Sequence, residues 1–154
     1  MTPTPPDWPR LSASLYYDDP RAAIAWLGRA FGFEARLVVE GAGDEIVHSE
    51  LCYGEAVIMV SDGGAAREPT QTWRRDAVSP RSLGGRHTAA MALYIDDVDA
   101  HCARARAAGA TIVDEPQTKD YGDDYWSDRS YGALDCEGHM WWFMQRLRNP
   151  GPRP

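Results

Sequence analysis

Two hexapeptides set 78 positions apart decide the fold: Ser-Leu-Tyr-Tyr-Asp-Asp at residues 14–19 and Ala-Leu-Tyr-Ile-Asp-Asp at residues 92–97. Each is followed by an alanine-rich stretch that ends in glycine, over residues 20–32 and 98–109. A spacing this long does not match a solenoid, whose repeats recur every few tens of residues. The pattern predicts two copies of one supersecondary unit, each too small to bury its own apolar face. Paired in a single domain, the copies would leave a site between the halves.

Each copy predicts a strand, a helix and three further strands. Asp19 and Asp97 are the predicted N-caps of the two helices, and Pro20 stands at a first helical position, where its missing N–H costs nothing. Alternating or apolar runs bounded by glycine-containing turns mark the strands. In the first copy these runs cover residues 11–17, 33–40, 45–53 and 56–61. In the second copy they cover residues 88–95, 110–114, 127–134 and 140–145.

The chain is predicted to form one structural domain made of five segments. These are a disordered N-terminal arm (1–10), a first module (11–61), a connecting loop (62–86), a second module (87–146) and a tail (147–154). The connecting loop is rich in Gly, Pro, Ser and Arg, and a loop of this length inside a compact domain is usually functional or partly disordered. Trp73 makes this loop a candidate lid.

Composition excludes several classes of protein. The formal net charge of −7 argues against nucleic-acid binding, which needs clustered Lys and Arg. The three cysteines are an odd number without metal-site spacing, which favours reduced thiols in a reducing compartment. The first nine residues include four prolines and no apolar run, unlike a signal peptide. No stretch approaches the ~20 apolar residues of a membrane span. We therefore expect a cytoplasmic protein with no nucleic-acid or membrane partner.

Alternation along the strands divides their side chains between a face that packs on the helix and an open face. The open face of the first strand would carry Ser12 and Tyr16, and that of the fourth strand Met59. The equivalent strands of the second copy would present Tyr94 and Trp142. Two curled sheets with such faces predict a cup that suits a flat, partly apolar small molecule. The alternative is that these residues simply fill a core.

Three motifs carry a resemblance to a known family: Tyr-Ile-Asp-Asp-Val-Asp-Ala (94–100), Ala-Gly-Ala (108–110) and Asp-Cys-Glu-Gly-His-Met-Trp (135–141). With the repeat, they make residues 11–145 resemble the vicinal oxygen chelate superfamily, which includes glyoxalases, bleomycin-resistance proteins, extradiol dioxygenases and fosfomycin-resistance enzymes. The resemblance is greatest to its PhnB-like branch, although Cys136 replaces the usual proline. It implies an α+β fold of two paired βαβββ modules that form a curved mixed sheet cup. It also implies a homodimer.

The resemblance further implies where a metal would bind, and this chain departs from the pattern there. Metal-using members hold a divalent ion with His, Gln or Glu from the open faces of the first and fourth strands of each module. Those positions here hold Ser12, Met59, Ala90 and Trp142, none of which is a credible ligand. We therefore expect no metal and no other cofactor. The leading function is metal-independent binding of an aromatic or cationic small molecule, such as a drug sequestered in antibiotic resistance.

An aromatic and acidic segment at residues 120–129 adds candidate ligand contacts. The resemblance places this segment at the mouth of the cavity, where its rings would stack on a planar ligand and its acids would attract a cation. A surface loop that plugs the sheet edge is an equally good interpretation. No catalytic residue is identified. The predicted ligand-binding residues are Ser12, Tyr16, Met59, Tyr94, Tyr121, Trp126, Arg129 and Trp142.

Two alternatives to ligand binding without a metal stay open. One is a metal-dependent lyase or dioxygenase that holds its ion with His48 and Glu50, two positions apart on one strand face, although an ordinary surface pair is the favoured interpretation. The other is a domain without a ligand, whose aromatic residues are packed core. Of the remaining histidines, His101 is predicted on a solvated helix face and His139 is predicted to orient the hairpin.

Overall fold

A computed structural model of the chain describes residues 1–63 and 72–151, which form two four-stranded sheets and two helices. The first module contains β1 (Ala13–Tyr17), α1 (Pro20–Phe31), β2 (Glu34–Glu40), β3 (Ile46–Tyr53) and β4 (Ala56–Asp62). The second module contains β5 (Ala90–Tyr94), α2 (Val98–Ala107), β6 (Thr111–Asp120), β7 (Ser127–Leu134) and β8 (Met140–Arg148). The strand orders, β1-β4-β3-β2 and β5-β8-β7-β6, are the same in both sheets. The predicted α+β fold of two βαβββ modules is confirmed.

The helix ends follow from local sequence chemistry. The side chain of Asp19 accepts a hydrogen bond from Ala22 N at 2.9 Å, and that of Asp97 accepts one from Ala100 N at 3.0 Å. Both aspartates thus satisfy an N–H group that the first turn of a helix leaves free. Gly32 ends α1 with a φ of 80°, a left-handed conformation that glycine adopts without strain.

Two strands are longer than the sequence predicts. The strand β6 extends to Asp120 rather than ending at residue 114, because residues 117–120 pair with residues 127–130 of β7. The strand β8 continues through Arg148, into the segment predicted as a tail, where Arg148 pairs with Ser127. In both cases tertiary pairing overrides a polar sequence that has little strand propensity of its own.

One core joins the two modules on the helix-covered side of the sheets. The ring of Phe31, at the end of α1, lies 5.4 Å from that of Trp141 and 4.7 Å from that of Phe143, both on β8. Each fully buried side chain of this size contributes roughly 1.5–3 kcal/mol relative to an exposed one. Because Phe31 packs on the opposite module, neither module buries its apolar face alone.

His101 lies in this core, so its predicted position on a solvated helix face is wrong. Its Nδ1 lies 2.6 Å from the hydroxyl of Tyr131, and its Nε2 lies 3.0 Å from the carbonyl oxygen of Phe31. Burial lowers its pKa to about 4, so the ring is neutral at pH 7. We infer that Nε2–H donates to the carbonyl while Nδ1 accepts from the tyrosine. The charged neighbours Asp97 and Arg104 led to the prediction of a solvated face. His101 instead lies on the same face of α2 as the buried Val98 and Cys102.

The segments outside the two modules are described in part. In the connecting loop, residues 64–71 lie outside the described residues, and the rest includes short 3₁₀ helices at Thr72–Asp76 and Pro80–Leu83. Trp73 is exposed there, so its role as a lid stays a prediction. The predicted disorder of residues 1–10 is likewise untested. Neither helix among the described residues has the length and apolar character needed to cross a membrane.

Candidate functional site

The sheet register identifies the pairs of side chains at the centre of each open face. In the parallel pair of the first sheet, Ser14 lies beside Met59, and in that of the second sheet Ala92 lies beside Trp142. The residues beside Met59 and Trp142 are therefore Ser14 and Ala92. Each lies two positions after Ser12 or Ala90, the positions that the resemblance assigns to metal ligands. A serine hydroxyl, a thioether, a methyl group and an indole do not form a divalent-metal site. Among residues 1–63 and 72–151, no group of three or more His, Cys, Asp or Glu side chains could hold a metal ion.

The indole of Trp142 packs over Gly132 of the neighbouring strand β7. A Cβ at position 132 would stand 3.1 Å from Cζ3 of Trp142 and 3.0 Å from Cε of Met140, so a larger residue there would require these side chains to shift. The indole therefore rests on the backbone of the neighbouring strand. Lys119 places its ammonium 5.8 Å from the ring centroid of Trp142. The half-buried indole is a positioned ring on the open face of the second sheet.

Arg146 contacts two further aromatic residues, one on β5 and one in the turn before β7. Its Nε donates to Oδ1 of the buried Asp128 at 2.5 Å, and its guanidinium also donates to the hydroxyl of Tyr94. The Tyr94 hydroxyl donates in turn to Oδ2 of Asp128 at 3.2 Å. The guanidinium carbon lies 5.1 Å from the ring centroid of Tyr94 and 5.6 Å from that of Trp126. Because Asp128 neutralises Arg146, this cluster positions rings without adding net charge.

Tyr121 and Trp126 meet at the turn between β6 and β7. Their ring centroids are 5.1 Å apart, and Trp126 also contacts Tyr125. About half of the surface of Tyr121 is exposed, so one side of this pair faces solvent. Through Arg146 the pair adjoins Tyr94, so the structure brings together Tyr94, Tyr121 and Trp126 from the predicted ligand-binding residues. Trp142, on β8, lies on the same sheet as Tyr94 of β5.

The other predicted ligand-binding residues lie elsewhere. Tyr16 and Met59 are on the open face of the first sheet, and Ser12 precedes β1. Arg129 lies on the helix side of its sheet, where Nε and Nη2 each donate to the Asp99 carboxylate of α2 at 2.7 Å. This bidentate pair directs Arg129 away from Tyr94 and Trp126, so Arg129 has no place in the ligand-binding set that we propose below.

His48 and Glu50 form a side-chain pair on the first sheet. His48 Nε2 lies 2.9 Å from Oε1 of Glu50, and Nε of Arg36 donates to Oε2 of the same carboxylate at 2.7 Å. Hydrogen bonds from His48 and Arg36 lower the pKa of Glu50. Both carboxylate oxygens are therefore engaged by side chains. A metal ion held by His48 and Glu50 would have to compete with Arg36 for the carboxylate.

A cleft of about 720 Å³ lies where the turn between β3 and β4 faces the end of β5. Its walls include the carboxylates of Glu34, Glu55 and Asp96 and the rings of Tyr53 and Tyr94. The guanidinium of Arg104 lies at its edge, where a Cβ at Gly32 would stand 2.5 Å from Nη2, so the three carboxylates outnumber this one cation. This volume lies within the range of small-molecule sites, and its charge and aromatic content favour a cation. The cleft could not be predicted from the sequence because its residues come from four strands of both modules and the turns beside them.

The hairpin at residues 135–139, which carries the family resemblance, is a structural junction. Asp135 accepts hydrogen bonds from the Tyr17 hydroxyl at 2.6 Å, from Trp141 Nε1 at 3.2 Å, and from the N–H groups of residues 137, 138 and 139 at 3.0 Å each. His139 Nδ1 lies 3.2 Å from the same carboxylate, which agrees with the predicted role of this histidine in orienting the turn. Although burial favours the neutral acid, the hydrogen bonds from His139 and Tyr17 lower the pKa of Asp135.

Glu137 extends this junction to the first module. Its Oε2 accepts from Asp18 N at 2.7 Å and from the Ser79 hydroxyl at 2.6 Å, and its Oε1 accepts from Asp19 N at 3.0 Å. Burial, with the nearby charges of Asp135 and Glu137, raises the pKa of the Cys136 thiol to about 12. A thiol of this kind is not a nucleophile at neutral pH.

Comparison with known proteins identifies the family. Residues 11–143 match the family model described as the glyoxalase/bleomycin resistance protein/dioxygenase superfamily. The uncharacterized protein Rv0887c of Mycobacterium tuberculosis is 31% identical over 140 residues, which cover 91% of this chain and 76% of that protein. The crystal structure of TioX from Micromonospora sp. ML1 is 31% identical, with a TM-score of 0.64 over 95% of this chain and 98% of TioX.

A more distant neighbour has the same fold. TnmS3, described as an antibiotic binding protein from Streptomyces sp. CB03234, has a TM-score of 0.62 at 19% identity, over 90% of this chain and 96% of that one. The family model covers most of the chain, and both neighbours match nearly their full lengths. The chain belongs to the glyoxalase/bleomycin resistance protein/dioxygenase superfamily.

Proposed function

We propose that this protein binds an aromatic, cationic small molecule without a metal. The observation that carries the proposal is the pairing of Trp142 with Ala92, and of Met59 with Ser14, at the centres of the open faces. Where metal-using relatives need chelating side chains, this chain offers a positioned indole and no ligand set. A metal-dependent lyase or dioxygenase would need a group of chelating side chains, and residues 1–63 and 72–151 supply none.

The site that we propose combines the open face of the second sheet with the adjoining cleft. Tyr94 belongs to both, because it contacts Arg146 on the sheet and also lines the cleft with Glu55 and Asp96. An aromatic ring of the ligand would stack near Trp142 or Trp126, while a cationic group would lie among the carboxylates. A cation against an aromatic face contributes about 0.5–2 kcal/mol, and the rings of Tyr53 and Tyr94 are available for such a contact.

Relatives support a role in drug sequestration. TnmS3 is described as an antibiotic binding protein and shares this fold over most of both chains. We propose the same class of activity here, in the cytoplasm, with the chain placed in the PhnB-like branch of the superfamily. We also propose a homodimer, because the edge strand β2 exposes Leu37, Val38 and Val39 to solvent in one copy. A second copy would cover this apolar surface.

A titration with ethidium, a planar aromatic cation, tests the function. Saturable one-to-one binding is expected by calorimetry, unchanged by EDTA and weakened at least tenfold in Trp142→Ala. The matched control is Trp73→Ala, which removes an exposed indole of the connecting loop and should leave the affinity unchanged. A panel of planar aromatic cations that all fail to bind would contradict the proposal.

Metal analysis tests the catalytic alternative. Untagged protein, purified without chelator and then incubated with divalent ions, is expected to retain no stoichiometric metal. One nickel, zinc, manganese or iron ion per chain, lost in Glu50→Gln, would favour a lyase or dioxygenase built on His48 and Glu50.

A further inference from the structure

Val57 is buried although no helix covers it. It lies on the open face of β4, next to Met59 on that face, yet only 4% of its surface is exposed. The segment over this face is the N-terminal arm. Residues 4–9 line a pocket of about 510 Å³ on the first sheet, together with Arg36, Cys52, Gly54, Glu55 and Val57. Val57 therefore shares this pocket with a segment outside both modules.

The arm is attached to the sheet chiefly through one cation. The guanidinium of Arg36 lies 4.9 Å from the ring centroid of Trp8, and its Nη1 donates to the carbonyl oxygen of Asp7 at 2.6 Å. Arg36 is itself held by Glu50 on β3, 2.7 Å from its Nε. A chain of contacts thus runs from the arm through Arg36 to the centre of the sheet. A cation–π contact of this kind contributes about 0.5–1 kcal/mol at an exposed site.

The backbone of the arm cannot extend the sheet. Prolines at positions 3, 5, 6 and 9 lack the N–H group that a strand ladder needs. Among the described residues, no strand pairs with this segment, and its own backbone hydrogen bond joins Trp8 N to Pro5 O at 3.2 Å. Proline-rich backbone is already restricted when free, so docking orders few additional torsions. Weak attachment and a small ordering cost together allow the arm to dock and leave.

We propose that residues 4–9 form a detachable cover over the open face of the first sheet, held by the contact of Trp8 with Arg36. When the cover is docked, the apolar surface at Val57 is closed to solvent. When Trp8 leaves Arg36, this surface opens beside the cleft of the proposed function, because the pocket under the cover and the cleft share Cys52, Gly54 and Glu55. The test of the cover is distinct from that of the proposed function, since it measures the exposure of Val57 and not the binding of ethidium.

Methyl NMR of the full chain tests the cover directly. With a soluble gadolinium chelate as the probe, Trp8→Ala should raise the relaxation enhancement at the Val57 methyl groups at least threefold. Val60, on the helix side of the same strand and fully buried, should not change. The control Trp73→Ala should change neither. An unchanged Val57 would overturn the proposal, and so would an equal rise at Val57 and Val60, which would show a loosened core.

A second variant and a second probe test the cover independently of the Trp8→Ala substitution. Arg36→Gln breaks the same contact from the side of the sheet and should expose Val57 to a similar extent. Both variants should also bind 8-anilinonaphthalene-1-sulfonate at least threefold more tightly than the wild type, whereas Trp73→Ala should not. Weaker binding of this dye in Trp8→Ala would show that the indole is part of a binding wall and would overturn its role as a cover.

Discussion

Residues 53–56 and residues 135–139 form equivalent hairpins in the two modules, and each lies at a junction with the other module. The two junctions differ in how far side chains fill them. The second is filled: Asp135 bonds to Tyr17, and Glu137 bonds to the backbone at the start of α1. The first faces a cleft of about 720 Å³. The register places Tyr53 where Asp135 stands in the other copy, and the first turn is one residue shorter. Ile95, the counterpart of Tyr17, has no hydroxyl to offer.

This difference shows how one supersecondary unit serves two purposes. A buried carboxylate with several donors makes the second junction a fixed structural connection, because leaving any of those donors unpaired is costly. The first junction is a cleft lined by the acidic residues Glu34, Glu55 and Asp96 and by two tyrosines. We therefore expect substitutions at the second hairpin to change stability, and substitutions at the first to change binding.

The largest effect is expected from Asp135→Ala. The substitution leaves the Tyr17 hydroxyl, the Trp141 indole N–H and three backbone N–H groups without their acceptor. The free energy of unfolding should fall by about 3–5 kcal/mol in urea denaturation. Asp135→Asn keeps one acceptor oxygen and should lose about half as much. Equal losses in the two variants would mean that packing, rather than the carboxylate, holds this junction.

The pH dependence of stability is the next largest effect, and it comes from His101, whose ring centroid lies 6.5 Å from that of Tyr53 in the first junction. His101 lines a small pocket with Tyr53 and Asp96, and its pKa is lowered to about 4 from an ordinary value of 6.5. Between these values the unfolded chain binds a proton that the folded chain does not. Stability should therefore fall by about 2–3 kcal/mol as the pH drops from 6.5 to 4.

His101→Gln measures this contribution by difference. The glutamine cannot gain a charge, so its unfolding free energy should depend less on pH than that of the wild type within this window. The comparison is made by urea denaturation at several pH values. Parallel curves for the two proteins would contradict a neutral, buried His101.

A matched pair of glutamates compares the two hairpins directly. Glu137→Ala removes the acceptor for Asp18 N, Asp19 N and Ser79, and should lower the free energy of unfolding by about 2 kcal/mol. Glu55→Ala, in the first hairpin, should change it by no more than about 0.5 kcal/mol but should weaken ethidium binding severalfold. If Glu55→Ala leaves binding intact, the cleft does not hold the cation.

The smallest effect is expected at Arg129. Because its guanidinium is paired with Asp99 on the helix side, Arg129→Ala should change the affinity for ethidium by less than twofold. Lys119→Ala is the matched comparison, since this cation lies near the ring of Trp142 on the open face and repels a cationic ligand. Its removal should tighten binding. A large loss of affinity in Arg129→Ala would return Arg129 to the ligand-binding set.

The order of strands and helices could be predicted because it depends on short-range signals. The two hexapeptides, the caps at Asp19 and Asp97 and the glycine turns each act within a few residues, through local hydrogen bonds and side-chain alternation. The open faces of β1, β4, β5 and β8 followed from the same alternation. Ser14 and Ala92, which lie beside Met59 and Trp142, are as unsuited to chelating a metal as Ser12 and Ala90.

Only the tertiary structure decided which residues far apart in the chain contact each other. Arg129 shares the helix side of β7 with the buried Tyr131 and Ala133, but its ion pair joins it to Asp99, 30 positions away. The burial of His101 depended on Phe31 of the other module, 70 positions away. The filled junction joins Tyr17 and Asp135 across 118 positions. Local chemistry determines where strands and helices begin and end, but burial and pairing partners are set when the modules pack together.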